Sequence, residues 1–144
     1  MRKFLLIILL SMLAPSLCFG EQSGAVALVE RGLNAYLKEG PDSAIKTWLK
    51  GSGMEGNTQA LTQANTLRQV EDFYGKPESF EIIKESAISS RSQMVVFAIN
   101  HAKGIFYGRF QAYRTKSGDW VATEFKFATE AAVLLPSEMV FGKQ

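Results

Sequence analysis

Met94-Val-Val-Phe-Ala-Ile-Asn100, Ile105-Phe-Tyr-Gly-Arg-Phe-Gln-Ala-Tyr113 and Trp120-Val-Ala-Thr-Glu-Phe-Lys-Phe-Ala128 are three apolar segments that alternate with period 2. Aromatic and β-branched residues at that period favour half-buried strands. His101-Ala-Lys-Gly104 separates the first two and Lys116-Ser-Gly-Asp119 the last two, each with a glycine placed to close a hairpin. The stretch from Met94 to Thr129 therefore reads as a three-stranded antiparallel meander.

Its register follows from the turns. Two-residue loops at Ala102-Lys103 and Ser117-Gly118 set Val95 opposite Phe110 and Phe110 opposite Phe125. Phe97 then faces Gly108, Gly108 faces Phe127, and Ile99 faces Phe106. One face is apolar across all three strands, with Val121 and Thr123 also inward. A slip of one residue would invert every side chain and mix the faces. The opposite face carries Met94, Val96, Ala98, Tyr107, Arg109, Gln111, Tyr113, Ala122, Glu124 and Lys126, with Arg109 diagonal to Glu124 for a cross-strand ion pair. That mixture suits a solvated outer face or, through its Met, Tyr and Val residues, a homodimer interface.

Upstream, Ala25, Leu28, Val29, Gly32, Leu33, Tyr36 and Leu37 recur at helical spacing. Gly40-Pro41 ends that helix and opens a short second one with Ile45, Trp48 and Leu49 on its apolar side. Gly51 to Asn57 is a glycine-rich loop, without the Lys-Ser/Thr ending and preceding strand of a phosphate cradle. Asn57 or Thr58 caps a third helix bearing Leu61, Ala64, Leu67, Val70, Phe73 and Tyr74, stopped by Gly75 and Pro77. Phe80 to Ile88 is a fourth, less regular strand. Either parity brings a charge inward, so a bulge or an edge position is expected. Glu130 to Gly142, interrupted by Pro136, reads as an irregular tail along an edge.

Residues 1–20 carry the order of a secretory signal peptide: Arg2 and Lys3, an apolar run from Phe4 to Leu13, then small residues at Cys18 and Gly20. The run is short for a membrane span. Leu17 before Cys18 favours plain cleavage after Gly20 over lipid attachment. The expected organisation is a signal peptide over 1–20 and one α+β domain over 21–144, a mature chain of 124 residues that is periplasmic or secreted. Losing Arg2 and Lys3 takes the 16 basic residues to 14, level with the 14 acidic ones. A neutral domain without a basic run is a poor nucleic-acid binder. The single cysteine leaves with the leader, removing disulfides, thiolate metal sites and a cysteine nucleophile. A domain of this length stands on its core instead, burying roughly two-thirds of its unfolded surface.

Three helices followed by a four-stranded meander form an α+β pattern, the helices covering the apolar sheet face. With the Ala25–Leu37 helix, the Leu61–Tyr74 helix and the closing hairpin Phe110 to Phe125, the chain resembles the nuclear transport factor 2-like superfamily, which includes ketosteroid-isomerase-like and SnoaL-like proteins. The resemblance implies a cone-shaped, cystatin-like fold of three N-terminal helices on a curved sheet. It implies a cone lined by Tyr36, Trp48, Leu67 and Tyr74 from the helices and by Phe97, Gly108, Phe110, Phe125 and Phe127 from the sheet. The cone either holds a small apolar ligand or is filled by its own rings. Isomerases of this type place a carboxylate base inside. Here the inward positions of the three regular strands have no ionisable group, and no family catalytic residue transfers. His101 is the only histidine and sits at a turn, where a surface position is expected; no metal or cofactor site is expected. The reading is a non-catalytic binding or accessory module. Its alternative is an isomerase- or cyclase-like enzyme using Tyr and Glu acid–base groups.

Overall fold

A computed structural model describes residues 24–142; the signal-peptide expectation lies outside them. Nine elements follow in order: α1 (Gly24–Glu39), α2 (Pro41–Leu49), α3 (Thr58–Tyr74), β1 (Pro77–Ser89), β2 (Ser92–His101), β3 (Gly104–Arg114), β4 (Trp120–Ala128), α4 (Ala131–Leu134) and α5 (Ser137–Phe141). The strands form one antiparallel sheet in the order β1-β2-β3-β4. The class is α+β, with five helices among the described residues and three of them before the sheet.

The first meander hairpin has the expected register: Val95 pairs with Phe110, Phe97 with Gly108 and Ile99 with Phe106. The second keeps it from Tyr107↔Ala128 to Gln111↔Glu124, then shifts to Ala112↔Ala122 and Arg114↔Trp120. The turn is longer by one residue than a two-residue loop. Thr115 N–H donates to the Asp119 carbonyl at 2.9 Å, enclosing Lys116, Ser117 and Gly118, and Gly118 has φ +95°. A three-residue hairpin loop needs a left-handed third position, which glycine supplies. A bulge at Thr123 absorbs the extra residue. Its hydroxyl donates to the Gln111 carbonyl at 3.2 Å. The consequence is a correction to the inner face: Trp120 and Ala122 share the parity of the core-facing residues, in place of Val121 and Thr123.

β1 is an edge strand with register shifts at Pro77/Ser79, Ile82/Lys84 and Ala87/Ser89, where a bulge or an edge position was expected. Phe80 and Ile82 share the inner parity; after the shift past Ile82, Glu85 and Ala87 do. Phe80 and Ile82 pack on the core, whereas Glu85 and Ala87 lie where the strand is exposed.

The helices cover the inner face, and α1 touches all four strands. In α3, the buried stripe is Ala60, Ala64, Leu67 and Val70. Leu61 and Phe73, expected on that face, are exposed because the stripe is centred one position away from each. Asn57 caps α3, its side-chain oxygen accepting from Gln59 N at 2.8 Å and Ala60 N at 3.4 Å. Asn57→Ala should cost about 1 kcal/mol in chemical denaturation, with an unchanged denaturant slope. A loss below a few tenths would mean that the loop alone holds the helix start.

The tail departs from the sequence expectation. It forms two short helices rather than an irregular edge segment, and α4 packs on β3 and β4. Leu134 is buried, as are the outer-face residues Val96 and Ala98. The chain therefore covers part of its own outer sheet face.

Candidate functional site

The sheet and helix residues assigned to the lining of a cone do meet. Tyr36, Trp48, Leu67, Phe97 and Phe110 are buried in one cluster, and Tyr74, Phe125 and Phe127 pack against it half-buried. Trp48 is the hub. Its ring centroid lies 5.7–6.2 Å from those of Phe97, Phe110, Phe125 and Phe127, and its Nε1–H donates to the Val29 carbonyl at 3.1 Å. Tilted and offset arrangements at these distances are favourable for ring quadrupoles. A buried indole N–H without a partner would be costly, so the Val29 bond matters as much as the rings.

Glycines make room for these rings. A Cβ on Gly108 would stand 2.2 Å from Phe97 Cζ, and one on Gly32 would stand 1.9 Å from Trp48 Nε1. The space beside Gly108 thus belongs to the Phe97 ring. At the centre of the cluster the side chains form a core.

At the edge of this core, between α3 and the meander, is an open depression of about 250 Å3. Met54, Ala60 and Phe125 form its apolar part; Asn57, Gln59, Gln63, Thr123 and Glu124 form its polar rim. The loop beside it is tied internally. Gly51 N–H donates to the Glu55 carboxylate at 2.8 Å, Ser52 Oγ to the Leu49 carbonyl at 2.7 Å, and Asn57 N–H to the Met54 carbonyl at 3.0 Å. These bonds hold Met54 against the core. The Thr123 bulge aims a hydroxyl away from the core at the other wall. Glu124 has its carboxyl held below the ordinary range, chiefly by the hydrogen bond from Arg109 and further by Lys126, against some desolvation.

A polar group gathers at the opposite end of α3. His101 is buried, 5% exposed, which corrects its expected place on a surface turn. Its Nδ1 lies 2.8 Å from the Gly75 carbonyl. Since a carbonyl only accepts, Nδ1 carries the proton in that bond. The rings of Tyr36 and Tyr74 flank it at 6.2 and 6.4 Å between centroids. The turn placement was right; the burial comes from α3 ending against it, which no local signal announces. Tyr36 Oη donates to the Leu67 carbonyl at 3.4 Å. Burial, then the charge and hydrogen bonding of Glu71, push its phenol well above the ordinary value of 10. Glu71 in turn pairs with Lys76. Tyr36, Glu71 and Lys76 border a depression of about 320 Å3.

This shift has a consequence for alkaline stability. A phenol that stays protonated in the fold but ionises when unfolded contributes fully below the unfolded pKa near 10 and progressively less above it. Stability should fall by about 1.4 kcal/mol per pH unit above pH 10 from this group. Urea titrations from pH 9 to 11 should show this fall setting in near pH 10, and Tyr36→Phe should lose it. An equal slope in both proteins would assign the effect to other tyrosines or lysines.

No protein-family model, no curated protein and no solved structure matches this chain. Among the described residues no group of three or more His, Cys, Asp or Glu is arranged to hold a metal ion. No described helix is long and apolar enough to cross a membrane.

Proposed function

We propose that this chain is an exported, non-catalytic accessory module of nuclear transport factor 2-like type. It recognises a segment of a protein partner in the depression between α3 and β4. The carrying observation is the contrast between the ring-filled centre and the open site at its edge. A ligand buried among Phe97, Gly108 and Phe110 would have to displace the indole of Trp48, 0% exposed. The edge depression needs no such displacement. At about 250 Å3 it falls below the roughly 300–1,000 Å3 of sites that enclose drug-sized molecules. It suits one apolar side chain of a partner, set against Met54, Ala60 and Phe125. The amides of Gln59 and Gln63 and the Thr123 hydroxyl then supply donors and acceptors to the partner's backbone. Such an arrangement is the usual division between an apolar anchor and an orienting polar rim.

Acid–base catalysis by Tyr36 with Glu71 has one observation behind it, their shared depression near His101. It carries less weight. The phenol is 1% exposed and already donates inward, whereas a general acid must reach its substrate.

The test is site-directed photo-crosslinking in the producing cell. A benzophenone amino acid at Gln63 should give one discrete adduct, and the same group at exposed Asn34 on α1 should not. Gln63→Arg should abolish partner recovery while stability stays within about 0.5 kcal/mol. Equal adducts from both positions, or a retained small molecule in native mass spectrometry, would overturn the reading. The mature protein should begin at Glu21, as read from its intact mass; an uncleaved chain would remove the export part of the proposal.

A further inference from the structure

The end of the sheet that carries the β1–β2 and β3–β4 turns gathers positive charge. Its last full row is Ser89, Ser92, Tyr113 and Val121, with Arg114 opposite Trp120 one step further out. Two arginines tie the turns together there. Arg114 N–H donates to the Arg91 carbonyl and Arg91 Nε–H to the Arg114 carbonyl, both at 2.8 Å. Arg114 Nη2 also donates to the Ser90 carbonyl at 3.4 Å. The Arg91 guanidinium lies 4.7 Å from the centre of the Tyr113 ring, a cation–π contact that fixes its place. Lys116 adds a third cation in the neighbouring turn.

These cations are not balanced by acids. The salt bridges among the described residues join Asp42 to Arg68, Glu71 to Lys76, and Glu124 to Arg109 and Lys126. Arg91, Arg114 and Lys116 stand outside all of them. Asp119 is the carboxylate of the second turn, and it accepts from Ser117 Oγ at 2.8 Å. Three cations against one acid leave two positive charges in excess. They come from turns far apart in the chain, so no basic run marks them in the sequence.

Apolar groups stand exposed beside this charge. Ile88 is 57% exposed and Tyr113 37% exposed. α1 begins at the same end, where Gly24 lies against Trp120. Cations next to an exposed aliphatic side chain and an aromatic ring, carried on two exposed turns, match a surface that is anionic outside and apolar just beneath. A nucleic acid or an acidic peptide would answer the charge and leave Ile88 in water. We propose that this end of the sheet docks reversibly on an anionic phospholipid membrane. Arg91, Arg114 and Lys116 meet the headgroup phosphates, and Ile88 and Tyr113 enter the interface. The docking does not depend on a partner in the depression between α3 and β4.

The test is co-sedimentation of residues 21–144, which include every described element, with vesicles of equimolar phosphatidylglycerol and phosphatidylcholine. Binding is expected, weakened by added salt and absent with phosphatidylcholine alone. Lys116→Gln should weaken it about fivefold, the share of one cation at such a surface. Lys103→Gln makes the same charge change in the turn at the opposite end of the sheet and should bind like the parent. Ile88→Ser should weaken binding with no change of charge. Lys116 and Ile88 are both exposed, so the urea midpoints of these variants should match the parent's. Equal losses from Lys103→Gln and Lys116→Gln would reduce the effect to net charge and overturn the proposal. Unchanged binding in both Lys116→Gln and Ile88→Ser would overturn it too, as would equal binding to phosphatidylcholine. Saturable shifts of the Arg91 and Arg114 amides with inorganic phosphate, without vesicle binding, would make this a free-anion site instead. Heparin bound in preference to vesicles would make it a polyanion site, and a mass that doubles with protein concentration would assign it to a second copy. Each of those three results sinks the membrane reading.

Discussion

Trp48→Ala should cost about 3–5 kcal/mol, the range for removing a fully buried large aromatic side chain. Two losses add in this substitution. Four phenylalanine rings lose their common neighbour, and the Val29 carbonyl inside α1 loses its indole donor. A domain of this size has about 5–15 kcal/mol in total, so the variant should unfold at far lower denaturant and populate partly open forms near physiological temperature. Trp48→Phe should fall well short of that cost, keeping much of the ring volume while losing the hydrogen bond. The measurement is the urea midpoint of each, with the denaturant slope checked for constancy. A loss under about 1 kcal/mol for Trp48→Ala would mean that the ring cluster is not the centre of the core, and the contrast behind the proposed function would go with it.

Gly32→Ala should be the second large effect, and its sign should depend on residue 48. Alanine is the better helix former by about 1 kcal/mol, so a substitution inside α1 ought to stabilise. Here its methyl would stand 1.9 Å from Trp48 Nε1, an overlap that must move either the indole or the helix. Overpacking of this kind costs about 1–3 kcal/mol. Shifting the indole also puts the bond to Val29 at risk. In the Trp48→Ala background the obstacle is gone, so Gly32→Ala should then be neutral or stabilising. A double-mutant cycle on the four proteins reads this reversal directly as a coupling term. Additive effects would show that α1 and α2 meet less closely than the Gly32–Trp48 contact requires.

The parts of the fold carried by period and punctuation were legible in advance. Alternation set the strands, Gly104 closed the first hairpin, and Gly40-Pro41 and Gly75 marked helix ends. The Arg109–Glu124 pair followed from register alone. The bulge at Thr123 was not legible. A two-residue and a three-residue loop both want a glycine near Gly118, and the compensating extra residue leaves no mark in composition. The two short C-terminal helices are too brief to show a period. His101 was placed at its turn but not in the interior, because its burial depends on where Tyr36, Tyr74 and the end of α3 arrive. For the lining of the supposed cone, the inward residues of β2 and β3 could be named from parity. Whether they enclose space could not, since that depends on how far Trp48 reaches from a separate helix. The facing cations Arg109 and Lys126 on the outer face were implicit in the register of β3 and β4. Lys84 joins that face through the register shift between Ala87 and Ser89 in β1.

The two tryptophans of the chain occupy unequal surroundings. Trp48 is sealed among phenylalanines, whereas Trp120 is only half-buried, against the first residue of α1. Their fluorescence should therefore separate into a blue component from the sealed indole and a redder one from the indole at the helix start. Fraying of α1 at Gly24 would quench or shift the second while sparing the first, so local opening and global unfolding can be told apart by emission colour, without a label.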